Sequence, residues 1–277
     1  MKNCKKHFVV ALIVLFMGHF LAPSAAHAQI VEVGGSVGLS YYMGDINPKI
    51  PFVESRLGWG ALARYYENTR WAFRFTYSNL QLDCSDKASN YRPERGLSFH
   101  TNVHDVALIA EFNFLDYFTG SKRNGLSPYL FGGISALFFN PKADDGTSLH
   151  DKLTDVGYYE DDEKGEIKME IPDKSTSAVS IPFGMGVKCS IGQKIGIALE
   201  WRWDYTFTDW LDDCHAYYPR INDQYSDPTG FSDGSQYVQR GNKYDNDWFG
   251  YLNFSLTYKF RLPTGKNCNT KERYNNY

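Results

Sequence analysis

Asp209, Asp212, Asp213 and His215 crowd one short stretch of chain, and carboxylates beside an imidazole are the groups that general acid–base chemistry uses. The same carboxylates also cap the turns of a loop, and no Ser or His motif accompanies them. We therefore read Asp209, Asp212 and Asp213 as loop anchors. A catalytic role requires Asp209, Asp213 and His215 to converge on one pocket. His100 and His104 lie four apart and could share a face, but no Cys or carboxylate at ligand spacing completes a metal set. They read as strand-end histidines near a membrane interface. The acidic run Asp155, Glu160, Asp161, Asp162, Glu163 and Glu166 lacks the spacing of a calcium loop, and Asp144-Asp145-Gly146 reads as a turn. No catalytic residue, metal or cofactor is expected.

The segments that must position these residues are extended. From Lys194 to Thr208, Ile195, Ile197, Leu199, Trp201, Trp203, Tyr205 and Phe207 fall on one face. Gly196, Ala198, Glu200, Arg202, Asp204 and Thr206 fall on the other. The pattern recurs from Trp248 to Phe260. Period-two reading predicts eight strands, at Ile30–Gly44, Leu57–Tyr66, Arg70–Leu80, Ser98–Phe114, Pro128–Phe139, Ala178–Ser190, Lys194–Thr208 and Asp247–Phe260. Tight turns at Glu67–Thr69 and Ile191–Gln193 and a moderate connection at Leu115–Ser127 alternate with longer connections. The expected fold is all-β: an eight-stranded antiparallel up-and-down transmembrane β-barrel with long extracellular loops and short periplasmic turns. A soluble sandwich is the alternative, but it gives no reason for that alternation.

Lys2, Lys5 and Lys6 precede an apolar run from Phe8 to Leu21, and Ala26-His27-Ala28 supplies a small-residue cleavage site. Residues 1–28 are expected to be an export signal, 29–260 the barrel and 261–277 a polar periplasmic tail. Removing 28 of the 277 residues leaves 249, with 26 basic residues against 32 acidic ones, a net charge of about −6. That balance argues against nucleic acid as a partner. The chain is expected to lie in the outer membrane, in contact with its lipid, with both termini periplasmic.

An eight-stranded barrel has room inside only for side chains. The inward positions include Glu32, Asp105, Glu111, Glu200 and Asp204, with Arg64, Arg74, Lys188, Arg202 and Lys259. Five acids against five bases predict a self-neutralised, plugged lumen rather than a channel. Four cysteines follow the export signal, and three pairings are possible. Cys84 and Cys214 fall in predicted outside loops, whereas Cys189 and Cys268 fall near or beyond the periplasmic rim. Pairing across the barrel wall is excluded, so Cys84–Cys214 and Cys189–Cys268 are the expected disulfides, with free thiols as the alternative.

Several motifs occur together. They are Tyr42-Met43-Gly44-Asp45-Ile46-Asn47-Pro48, Phe112-Asn113-Phe114, Pro128-Tyr129-Leu130-Phe131-Gly132-Gly133-Ile134 and Phe139-Asn140-Pro141. Further on come Ile181-Pro182-Phe183-Gly184-Met185-Gly186-Val187-Lys188, Thr208-Asp209-Trp210-Leu211-Asp212-Asp213, Arg240-Gly241 and Asp247-Trp248. In order and spacing this set resembles the PorG-like outer-membrane β-barrel family of Bacteroidota. It departs at Trp210, where Tyr is common, and at Cys214, where an aliphatic residue is expected. The resemblance implies a non-enzymatic barrel of the type IX protein secretion system that contacts the periplasmic ring proteins PorK and PorN. A general surface barrel whose long loops bind extracellular or host ligands is the alternative. An outer-membrane enzyme ranks third.

Overall fold

The computed structural model describes residues 30–120, 125–161, 166–221, 224–225 and 238–261. Eight long strands carry the fold: β1 (Ile30–Met43), β2 (Arg56–Tyr66), β3 (Trp71–Ser85), β4 (Ser98–Asn113), β5 (Leu126–Phe138), β8 (Ser177–Ile191), β9 (Ile195–Thr206) and β12 (Trp248–Arg261). Each pairs antiparallel with its neighbours in the order β1-β12-β9-β8-β5-β4-β3-β2, and β1 pairs β2 to close the ring. Closure leaves no unpaired sheet edge, the condition for a sheet to cross lipid. Two hairpins stand outside the barrel, β6 (Gly157–Asp161) with β7 (Glu166–Glu170) and β10 (Arg220–Ile221) with β11 (Gln224–Tyr225).

The eight predicted strands match the observed ones to within a few residues, with one exception. β3 runs on to Ser85, five residues past its expected end, and a single helical turn, α1 (Asp86–Ser89), follows it. The extension still alternates, with Leu82 and Cys84 buried and Gln81 exposed. Its outward residues are polar, so the segment imitates a loop in sequence.

Alternation sorts the two solvents. Val37, Leu57, Leu108, Ile134, Leu199 and Leu256 point outward and are largely exposed, whereas polar and charged residues on the opposite faces are buried. A barrel apolar outside and ionic inside is a membrane-spanning barrel. Leu199 and Phe254 are register partners on this outer face, 55% and 46% exposed. Either residue changed to Arg is expected to destabilise the inserted barrel by about 2–4 kcal/mol near the midplane. Ala198→Ser, on the inward face, is expected to be mild. Unfolding titrations from lipid vesicles measure all three, and equal tolerance on both faces contradicts the membrane assignment.

One outward residue breaks the rule. Tyr41 is fully buried although its parity points it out of the barrel. Phe52, from the loop after β1, packs against it at a centroid distance of 4.4 Å, and its hydroxyl accepts a hydrogen bond from Trp201 Nε1 at 3.0 Å. The ring lies over Gly250, where a Cβ would come within 2.1 Å of it. Only glycine admits this cover, by which the first loop folds down over the outside of the barrel.

Candidate functional site

The lumen is filled in layers. At the end nearest the start of β1, Arg64 contacts Glu32 at 2.8 Å and Glu111 at 2.9 Å, while Arg74 contacts Glu111 at 3.1 Å and also Glu200. Lys188 contacts Glu111 and lies 4.1 Å from the Tyr129 ring centroid, and the Tyr129 hydroxyl donates to Glu200. Three cations and three carboxylates therefore interlock with almost no solvent exposure, so little bulk water screens them. Higher up, Arg202 bridges Asp105 at 2.8 Å and Asp204 at 2.7 Å. Ser135 and Ser180 donate hydrogen bonds to the same carboxylates. Lys259, the register partner of Glu32, donates to the Thr119 carbonyl. All ten inward charged residues named from the sequence are buried.

Both ends are closed. The connection after β4 folds under the barrel: Tyr117 and Phe118 pack with Ile30, Tyr66 and Ala72, and Thr119 donates its hydroxyl hydrogen to Glu32. Nothing in its sequence periodicity marks this segment as an insert. At the other end an apolar cluster that includes Leu80, Leu82, Phe99, Leu137, Leu211, Phe249 and Tyr251 fills the mouth.

Above that cluster the four long loops lock together. Arg95 pairs with Asp86 and donates to the carbonyls of Arg240, at 2.7 Å, and Asp45, at 3.1 Å. Arg240 reaches Asp155 at 3.3 Å and also donates to the Asp213 carbonyl. Asp155 in turn accepts the backbone N–H groups of His215 and Ala216, each at 2.8 Å. Lys174 contacts Asp213 and Thr154, both at 2.7 Å. Sequence reading gave Arg95, Lys174 and Arg240 no bracing role, because the contacts by which they join the loops are far away in sequence. Asp155 stood out only as part of an acidic run.

The loop aspartates are tied down in different ways. Asp212 accepts Cys214 N–H at 2.9 Å, and Asp247 accepts Leu211 N–H at 3.0 Å. The Tyr42 hydroxyl lies 2.6 Å from Asp212 Oδ2 and 2.7 Å from Asp247 Oδ1. One hydroxyl carries one hydrogen, so one of these contacts must be donated by a protonated carboxyl. Burial pushes Asp247 up to about 7, and burial with the nearby Asp247 carboxylate holds Asp212 well above the usual carboxylate range. The geometry and the titration shifts agree on a shared proton.

Asp209 contacts His215 Nδ1 at 2.7 Å. Burial, reinforced by Asp247 and Asp212, pushes Asp209 up to about 11, while burial holds His215 below its ordinary value. Asp213 is directed instead to Lys174, Thr154 and Arg240. Asp209, Asp213 and His215 therefore do not form one acid–base constellation. His104 is occupied by Tyr77 at 2.9 Å and Asn79 at 3.1 Å. Among the described residues, no group of three His, Cys, Asp or Glu is arranged to hold a metal ion.

The cysteines require a correction. Cys84 and Cys214 are both free and buried rather than joined. Cys84 lies in β3, not in a loop, and packs into the apolar cluster of the mouth. Cys214 is turned toward the Arg240 carbonyl, with its Sγ at 3.2 Å. Cys189 is likewise a free thiol, half-buried near the end of β8, and Cys268 lies outside the described residues. Alkylation in denaturant without reductant is expected to label Cys84 and Cys214, and a peptide linking them contradicts this packing.

A family model described as "Domain of unknown function (DUF6089)" matches residues 6–269. The chain belongs to the DUF6089 family. Among solved structures, Neisserial surface protein A is similar to this DUF6089 barrel at 11% identity and a TM-score of 0.41, over 86% of this chain and 100% of that one. A major outer membrane protein from Thermus thermophilus gives 13% identity and 0.40, over 84% and 100%. OprG, an outer membrane protein from Pseudomonas aeruginosa, gives 10% and 0.39, over 85% and 97%. The search of curated proteins finds no match.

Proposed function

We propose that this DUF6089 barrel is a non-conducting, non-enzymatic anchor of the outer membrane. In this reading residues 1–28 are removed on export and both termini face the periplasm. The observation that carries it is the closed interior: a neutral ionic core capped at one end by Tyr117, Phe118 and Thr119 and at the other by interlocked loops. Such an interior offers no path for solute, so the useful surfaces are the two ends and the lipid-facing wall.

The finer assignment is to type IX secretion, with the periplasmic end contacting the ring proteins PorK and PorN. Its support is the motif set shared with PorG-like barrels. The available periplasmic surfaces are the turns at Glu67–Thr69 and Ile191–Gln193, the plugged connection after β4 and the basic tail Arg261–Tyr277. Crosslinking in intact outer membranes followed by co-purification tests it. Recovery of the ring proteins is the expected result, and recovery of surface partners alone contradicts it. The second reading, a surface barrel whose loops bind an extracellular ligand, draws on the rigid loop cap built around Arg95, Arg240 and Asp155. It predicts that outcome instead.

A further inference from the structure

At the loop end, outside the barrel wall, the loops after β1 and before β12 overhang a cavity of about 590 Å³. Its membrane-side wall is made by Phe183, Trp203 and Trp248, outward residues of β8, β9 and β12. Phe183 stacks on Trp203 with centroids 6.1 Å apart and planes at 23°, and it meets Trp248 edge-on at 6.2 Å. Tyr91 contributes a fourth ring. The loop side carries Asp45 and Asp245, the two charged residues of the lining.

This combination selects by charge. Aromatic faces attract a cation within about 6 Å of the centroid, and two carboxylates above them strengthen the same field. Phosphate and sulfate heads are repelled by both features. The chain already makes a contact of this kind at the cavity's edge, where Lys49 Nζ lies 5.7 Å from the Tyr91 centroid. The wall continues below into the apolar outer face, at Met185 and Leu199, where an alkyl chain attached to a bound head would lie in lipid.

We propose that this cavity binds an alkylammonium group, held between the aromatic wall and the carboxylates of Asp45 and Asp245. The ammonium could belong to a membrane amphiphile or to a free amine solute. The test is a titration of the purified full-length barrel in neutral maltoside micelles, read by tryptophan fluorescence. The probes are hexyltrimethylammonium, tetramethylammonium, hexyl glucoside and hexyl sulfate. Saturable binding of hexyltrimethylammonium, with no binding of the glucoside or sulfate, is expected. Asp245 is exposed and outside the buried loop network, so Asp245→Asn leaves the fold intact; it should weaken binding roughly tenfold. Tighter binding of the hexyl than the tetramethyl probe assigns the site to amphiphiles, and equal binding assigns it to free amines. Equal affinity for the ammonium and glucoside probes, or unchanged affinity in Asp245→Asn, overturns the proposal.

Discussion

Glu111→Ala is expected to destabilise the barrel by about 3–5 kcal/mol, the cost of leaving buried charge uncompensated. Glu111 alone contacts Arg64, Arg74 and Lys188, so its loss leaves three buried cations against Glu32 and Glu200. Unfolding in urea, followed by the change in gel mobility of the folded barrel, measures the effect. Adding Lys188→Met removes one stranded cation and should recover part of the loss, whereas independent sites would give an additive or worse result. Asp116→Asn serves as the contrast. Its pair with Arg70, at 2.6 Å, lies in solvent, and its loss is expected to cost no more than about 1 kcal/mol.

The second large effect is a dependence of the loop cap on pH. Asp247, pushed up to about 7, and Asp212, held well above the usual carboxylate range, keep a shared proton in the folded cap that unfolded carboxylates give up near pH 4. A folded state that binds more protons than the unfolded state loses stability as pH rises. The cap is therefore most stable in acid and weakens from about pH 4 through 7. Between pH 5 and 7 the change for one such group is about 2–3 kcal/mol. Proteolysis or hydrogen exchange of the loops, at pH 5 and at pH 8, reads this local opening while the barrel stays intact. Asp212→Asn should flatten the dependence. Its carbonyl keeps the Cys214 N–H, its amide donates to the Tyr42 oxygen, and Tyr42 is free to donate to Asp247. Tyr42→Phe removes the shared hydroxyl and should open the cap at every pH, by about 1–3 kcal/mol. Loops better protected at pH 8 than at pH 5 contradict the shared proton.

Much of the barrel was legible in the chain because strand parity is a local property. The inward charges at Glu200, Arg202 and Asp204 and the outward wall at Leu199 through Tyr205 follow from alternation alone. Local reading failed where the solvent changes. Past Leu80 the outer face of β3 meets water rather than lipid, so Gln81, Asp83 and Ser85 look like loop and Cys84 was assigned to the wrong element. It failed again where contacts join distant segments. The insertion of Tyr117 to Thr119 into the barrel and the bracing of Asp45, Asp155 and Asp213 by Arg95, Arg240 and Lys174 depend on loop geometry that no period encodes. Tyr41 shows a third limit, since its parity is outward and only the fold of the first loop over Gly250 buries it.

The plugged interior is tested most directly by recording from the pure full-length protein in planar bilayers. Inserted barrels, verified by their folded gel mobility, are expected to give no stable conductance steps in salt at neutral pH. Reproducible, large and long-lived channels under those conditions would contradict the interlocked lumen of Arg64, Arg74, Glu111, Lys188 and Glu200 and the closed ends above and below it.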